Sequence, residues 1–177
     1  KRAAVGAEGP VLDHLSRVAL DEHLKVVGDS LYEAGSGAIR AMVCDSLEVY
    51  RADWAADLLP EFRKRRGYDL RPWLPALFMD IGEKTTSVRH DWGQTLTELT
   101  NERLLASLSE WCQRRGLLLR MQAYGRPPAS LSSYAVVDLP EGEGVPRTVF
   151  RASRWASSGG HNYGRGVISA ETWTWLH

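Results

Sequence analysis

The sequence predicts an α/β fold with parallel strands, residues 1–177 belonging to one domain; the runs leave open whether the sheet closes, and if it does they make up only part of a (β/α)8 TIM-type barrel, incomplete at both ends. Three observations predict it. Short runs that are apolar at most positions alternate with longer stretches of helical periodicity, as in a parallel sheet flanked by helices. The short runs hand over to acidic or aromatic residues, as strands do at the working edge of such folds. The length, 177 residues, falls short of the roughly 250 that eight strand–helix units need.

Each element can be justified in order. Residues 10–28 read as a helix, with Leu12, Leu15, Ala19, Val26 and Val27 on a broad apolar side, and the Gly35-Ser36-Gly37 run stops it. Residues 38–44 (AIRAMVC) are the first strand, ending at Asp45. A helix over 52–66 is interrupted near Pro60 and closed by Gly67, and residues 69–78 form Pro-punctuated helical turns. A long helix spans 88–115, with Trp92, Leu96, Leu99, Leu104, Leu108 and Trp111 within about half its circumference. Gly116 terminates it. Residues 117–123 (LLLRMQA) are the second strand, 134–139 (YAVVDL) the third, 149–163 a helix and 166–171 (GVISAE) the fourth strand.

Composition removes several classes of function. Lys plus Arg equal Asp plus Glu at 22 each, so the overall field draws in neither nucleic acid nor an anionic membrane. The basic run Arg63–Arg66 reads as a solvated helix end favoured by the helix dipole. No apolar stretch approaches the roughly 18 residues of a membrane helix. Cys44 and Cys112 sit in apolar surroundings and read as buried, inert thiols. The histidines show no metal-ligand spacing, and no phosphate-cradling glycine loop or nucleophile elbow is present. The chain starts without Met and stops directly after a strand-like run, so both ends read as internal to a longer protein.

The strand exits carry the chemistry. The first is Asp45-Ser46-Leu47-Glu48, the second Gln122-Ala123-Tyr124-Gly125, the third Asp138 to Glu143, the fourth Glu171-Thr172-Trp173. Glycoside hydrolysis needs two carboxyl groups, one protonated to assist the leaving oxygen and one ionised across the ring. Trp54, Tyr124, Trp173 and Trp175 are natural platforms for sugar rings. An acidic residue after a strand is as often a helix cap or a solvated charge. Asp45, Glu141 and Glu143 admit that reading, and Trp54 and Trp92 equally suit core packing. Glu171 ends an apolar strand, a costly place for an unpaired charge.

The ordered set CDSLEVYRADW, FRKRRGYDLRPWLPALF, RMQAYG, VDLPEGE, ASRWASSGGHNYG and VISAETWTWL, over residues 11–176, resembles the family 106 glycoside hydrolases, the α-L-rhamnosidases. The resemblance implies inverting hydrolysis of terminal α-L-rhamnosides, a catalytic (β/α) barrel domain, a carbohydrate substrate and a bound calcium ion. It implies Glu48 as general acid, Asp45 as a sugar or metal contact, and Glu171 as general base, with Glu141 and Glu143 as rivals. Gln122, Asp138, His161 and Trp173 join Asp45, Trp54, Tyr124, Glu141 and Glu143 as implied substrate contacts. Asp45, Asp138 and Glu141 are the possible calcium donors. The alternatives are a non-catalytic carbohydrate-binding or inactive remnant, and a barrel glycosidase for another sugar.

Overall fold

The computed structural model describes residues 5–6, 8–35, 37–126, 128–143 and 152–171. Its strands are β1 (Ala41–Cys44), β2 (Leu47–Glu48), β3 (Leu118–Met121), β4 (Gly125–Arg126), β5 (Leu139–Glu143) and β6 (Ser169–Glu171). The α-helices are α1 (Arg17–His23), α2 (Asp29–Ala34), α3 (Leu58–Arg66), α4 (Lys84–Thr100), α5 (Ala106–Gln113) and α6 (Ala152–Asn162). β1, β3, β5 and β6 form one sheet in that order, every pair parallel, and β2 pairs in parallel with β4 beyond its edge. Among the described residues, order in space follows order in the chain without reversal, with no switch point of the doubly wound kind.

Register assigns each side chain to a face, because paired residues of parallel strands point the same way. Val43 lies beside Arg120, Arg120 beside Leu139, Glu141 beside Ser169 and Glu143 beside Glu171. The intervening residues form the helix-covered face. There Leu117, Leu119, Met121 and Ala123 are buried with Leu104, Leu105, Leu108, Trp111 and Cys112 of the long helix, Tyr134 and Val137 of the connection, and Ala156 of α6. Val43 and Leu118, on the opposite face, are 56% and 45% exposed. Burial pushes the Cys112 thiol up to about 11, and burial followed by Asp45 does the same for Cys44. Cys112 is buried as expected, whereas Cys44 is only partly so.

Satellite cores pack the remaining helices. Leu58 of α3 meets Leu96 and Leu99 of α4 with Leu15 and Ala55, and Phe62 packs with Leu70, Ala76 and Val88. Pro60 is tolerated in the first turn of α3, where its missing N–H has no helical acceptor. Gly67 closes that helix in the left-handed conformation at φ 83°, its N–H donating to the Arg63 carbonyl. A π-helical turn, Asn101–Leu105, joins α4 to α5.

Three expectations need correction. The first helix does not run over 10–28: α1 begins at Arg17, capped by the Ser16 side chain, and a π-helical turn, Leu24–Gly28, carries it into α2. Gly28 sits inside because the Trp111 indole comes within 3.0 Å of where a Cβ would be. The third strand is not 134–139. Leu131–Val136 is a 3-10 helix opened by the reciprocal Ser130–Ser133 capping box, and the strand is Leu139–Glu143. Its apolar signal was that of a core plug, with Tyr134 and Val137 wholly buried. The Arg63–Arg66 run is solvated only in part: Arg65 binds Glu61, Glu98 and Glu102, and Arg66 binds Glu98, tying α3 to the long helix.

Candidate active site

The sheet face opposite the helix-covered core turns polar toward the carboxyl ends of its strands. Alternation along β3 and its exit delivers Arg120, Gln122 and Tyr124 to one side, while β5 supplies Glu141 and Glu143, and β6 supplies Ser169 and Glu171. Gln122 is 1% exposed and is the hub. Its Nε2 donates to Glu141 Oε1 at 3.2 Å and to Glu171 Oε2 at 2.7 Å, and its Oε1 accepts from the Tyr124 hydroxyl at 2.5 Å. The neighbours dictate this carboxamide orientation, since the flipped form would set an oxygen against two carboxylates.

Glu141 is an anchor. It is 3% exposed, bound by the Arg120 guanidinium and by Ser169 Oγ at 2.8 Å, and its carbonyl accepts from the Tyr134 hydroxyl at 3.0 Å. A carboxylate so buried is tolerable only because it is paired and hydrogen-bonded. Those bonds occupy its oxygens, so Glu141 is not placed to activate water.

Tyr124 marks where the acidic residues meet. Burial first, then the charge of Glu143, then Tyr134, Glu171 and Asp45, drive its phenol well above the usual tyrosine range. Carboxylates from both ends of the sheet therefore lie within electrostatic reach of one ring. Trp155, near the start of α6, meets that ring edge-on with centroids 5.6 Å apart. Tyr124, Trp155, Tyr134, Leu131 and Pro128 line a cavity of about 520 Å³.

Glu48 reaches the same edge on β2. Leu47 N–H donates to the Tyr124 carbonyl at 2.9 Å, and Glu48 is in register with Arg126 of β4. The approach requires Gly125: its φ is 113°, and a Cβ there would lie 1.9 Å from the Leu47 carbonyl oxygen. Ser46 Oγ donates to Glu48 Oε1 at 3.2 Å, and Asp45 accepts from the Ser46 N–H at 2.7 Å. β2 continues from β1, three strand spacings from β6, or about 14 Å between strand axes.

Other candidates lie elsewhere. Asp138 precedes β5 rather than ending a strand, and its carboxylate accepts from Leu119 N–H at 2.9 Å, near the start of β3. That is the amino-terminal edge, opposite the carboxylates. His161 is exposed in the last turn of α6, six residues beyond Trp155. Trp54 is 47% exposed in the segment before α3. Trp173 and Trp175 lie outside the described residues. The sequence reading missed Arg120, Ser169 and Trp155. Arg120 had a signal: a charge inside an apolar strand needs a partner.

Among the described residues no three His, Cys, Asp or Glu side chains are grouped so as to hold a metal ion. The calcium donors expected from the resemblance do not converge, because Asp138 is on the far edge and Glu141 is held by Arg120. The described residues do not fit that ion.

Comparisons with known proteins bear on the family and the fold. The model of glycoside hydrolase family 106, described as alpha-L-rhamnosidase, matches residues 1–177. A curated protein of Formosa agariphila, described as "Putative beta-glucuronidase", is 27% identical over 183 residues, covering 97% of this chain and 16% of its own length. The structure of a rhamnosidase from Novosphingobium sp. PP1Y has a TM-score of 0.79 at 24% identity, covering 99% of this chain and 19% of that one. At that identity the likeness speaks for the fold. The chain thus spans under a fifth of the length of either protein. By its match over all 177 residues, the chain belongs to glycoside hydrolase family 106.

Proposed function

We propose that this chain carries the acid–base carboxylates of an inverting α-L-rhamnosidase, at the carboxyl edge of a (β/α) barrel of which its sheet is a part. The observation that carries the reading is the register of Glu143 beside Glu171 and the hydrogen-bond chain Tyr124–Gln122–Glu171 at one edge of the sheet, with Glu48 on the strand pair beside it. Glu48 gives its proton to the glycosidic oxygen as the bond to the sugar's anomeric carbon breaks. Glu171 takes a proton from a water that attacks that carbon from the opposite face, so the configuration inverts. Asp45 and Tyr124 meet the sugar's hydroxyls and ring. Glu171 is preferred over Glu143 as the base because a hydrogen bond from Gln122 holds its carboxylate, whereas among the described residues no such side-chain bond holds Glu143.

The test is a pair of isosteric substitutions in the protein, with turnover followed on α-L-rhamnosides of good and poor leaving groups. Glu48→Gln should cost about 10²–10⁴-fold on a poor leaving group and much less on an activated aryl rhamnoside. Equal, modest losses on both would remove Glu48 from the acid role. Glu171→Gln should abolish turnover on both, and Glu143→Gln should not. A panel of aryl glycosides that includes a β-glucuronide settles the sugar, and binding without release would favour a non-catalytic carbohydrate-binding role.

A further inference from the structure

We infer that Gln122 is a positioning residue: its carboxamide aims the Glu171 carboxylate, using the Arg120–Glu141 ion pair as a fixed support. This rests on the reading of Glu171 as the base. A primary amide has two hydrogens, and Gln122 spends one on each carboxylate, Glu141 and Glu171. Glu141 cannot yield, since Arg120 and Ser169 hold its other oxygen. Gln122 is therefore pinned at one end, and its carbonyl is pinned by Tyr124. What remains adjustable is Glu171, on the edge strand β6, half-buried and reached diagonally across β5.

The consequence is a choice of oxygen. Oε2 of Glu171 accepts from Gln122, which leaves Oε1 to meet the attacking water. A hydrogen-bond donor aimed at a carboxylate favours its ionised form, and loss of such a donor acts the other way. The bond runs from a side chain only 1% exposed, so bulk water does not replace it readily.

The experiment is the pH profile of kcat/KM on p-nitrophenyl α-L-rhamnoside, whose acid limb reports the base of the free enzyme. Gln122→Leu, which removes both N–H donors, should move the acid limb up by about one pH unit and lower kcat more than it alters KM. Gln122→Glu keeps the shape but sets a third carboxyl between the other two, and should move the limb further in the same direction. It also answers for Gln122→Leu should that variant fail to fold. An acid limb unmoved in the folded variants overturns the inference. Glu171→Gln, measured alongside, separates the two levels. If it is inactive while the Gln122 variants leave the limb in place, Glu171 stays the base and only the role of Gln122 falls. If it retains full turnover, the base itself has been misassigned.

Discussion

Along β3 and its exit, Leu117, Leu119, Met121 and Ala123 face the helices, whereas Leu118, Arg120, Gln122 and Tyr124 face the other way. The first set is buried among apolar side chains. The second ends in an ion pair, a carboxamide and a phenol that organise carboxylates from two neighbouring strands. One backbone serves both because strand side chains alternate with a period of two. The difference teaches that stability and chemistry are separable here residue by residue, with Glu141 as the exception, where a charge has been built into the interior.

Arg120 is where the separation should break. Arg120→Leu leaves the buried Glu141 carboxylate without its cation and should cost roughly 4 kcal/mol of stability, together with activity. The double variant Arg120→Leu with Glu141→Leu should regain most of the melting temperature but not the turnover. Recovery of both would deny the pair any part in arranging the site. On the helix side, Met121→Ala should cost roughly 3 kcal/mol by thermal melting, from lost burial and a residual cavity. Its kcat, measured well below the melting temperature, should stay near that of the parent; a large fall would show that the faces are coupled.

A smaller effect tests whether charge away from the site contributes to stability. Hydrogen bonding to Arg103, against partial burial, holds Asp57 below its ordinary range. Burial would raise Glu98, but Arg66 and Arg65 outweigh it, and Arg65 holds Glu102 down. For carboxylates lowered in the folded state, the stabilisation is fully present above the unfolded-state range, near 4. It is lost as pH falls through the lower folded values. The melting temperature should therefore drop as pH is taken from about 5 toward 3, and added salt should blunt the drop because Asp57 and Glu102 are about half exposed. A flat profile would show these bridges to be idle. The smallest effect is expected at Trp155, 43% exposed against Tyr124. Trp155→Ala should change stability by less than about 1 kcal/mol and raise KM for aryl rhamnosides a few-fold. An unchanged KM would take the indole out of the binding surface.

Much of this was legible in the chain. The runs at 38–44, 117–123 and 166–171 became β1, β3 and β6, and Glu143 and Glu171 stand side by side on neighbouring strands. β5 was not legible, for a physical reason. Glu141 and Glu143 follow Leu139 on one face and Pro140 and Gly142 lie on the helix-covered one, so a rule that looks for apolar runs passes over it. The nearby apolar run was taken for the strand instead, and that error carried Asp138 to the wrong edge. The hub at Gln122 depends on register between strands about 20 residues apart, which local pattern does not encode. Trp155 follows from the placement of α6 against the Tyr124 loop, again a tertiary fact.

The π-helical turn Asn101–Leu105 has a consequence for how the long helix can evolve or be altered. Before it, Leu96 and Leu99 pack toward α3; after it, Leu108, Trp111 and Cys112 pack under the sheet. The wide turn accommodates one residue beyond a regular helical repeat, a phase slip of about 100° that lets a single rod serve two partners set at different angles. Removing one residue from it would swing Trp111 off its seat beside Gly28 and would draw Asn101 away from Ser133, whose hydroxyl donates to it at 2.6 Å. Length in this stretch should thus be less negotiable than sequence.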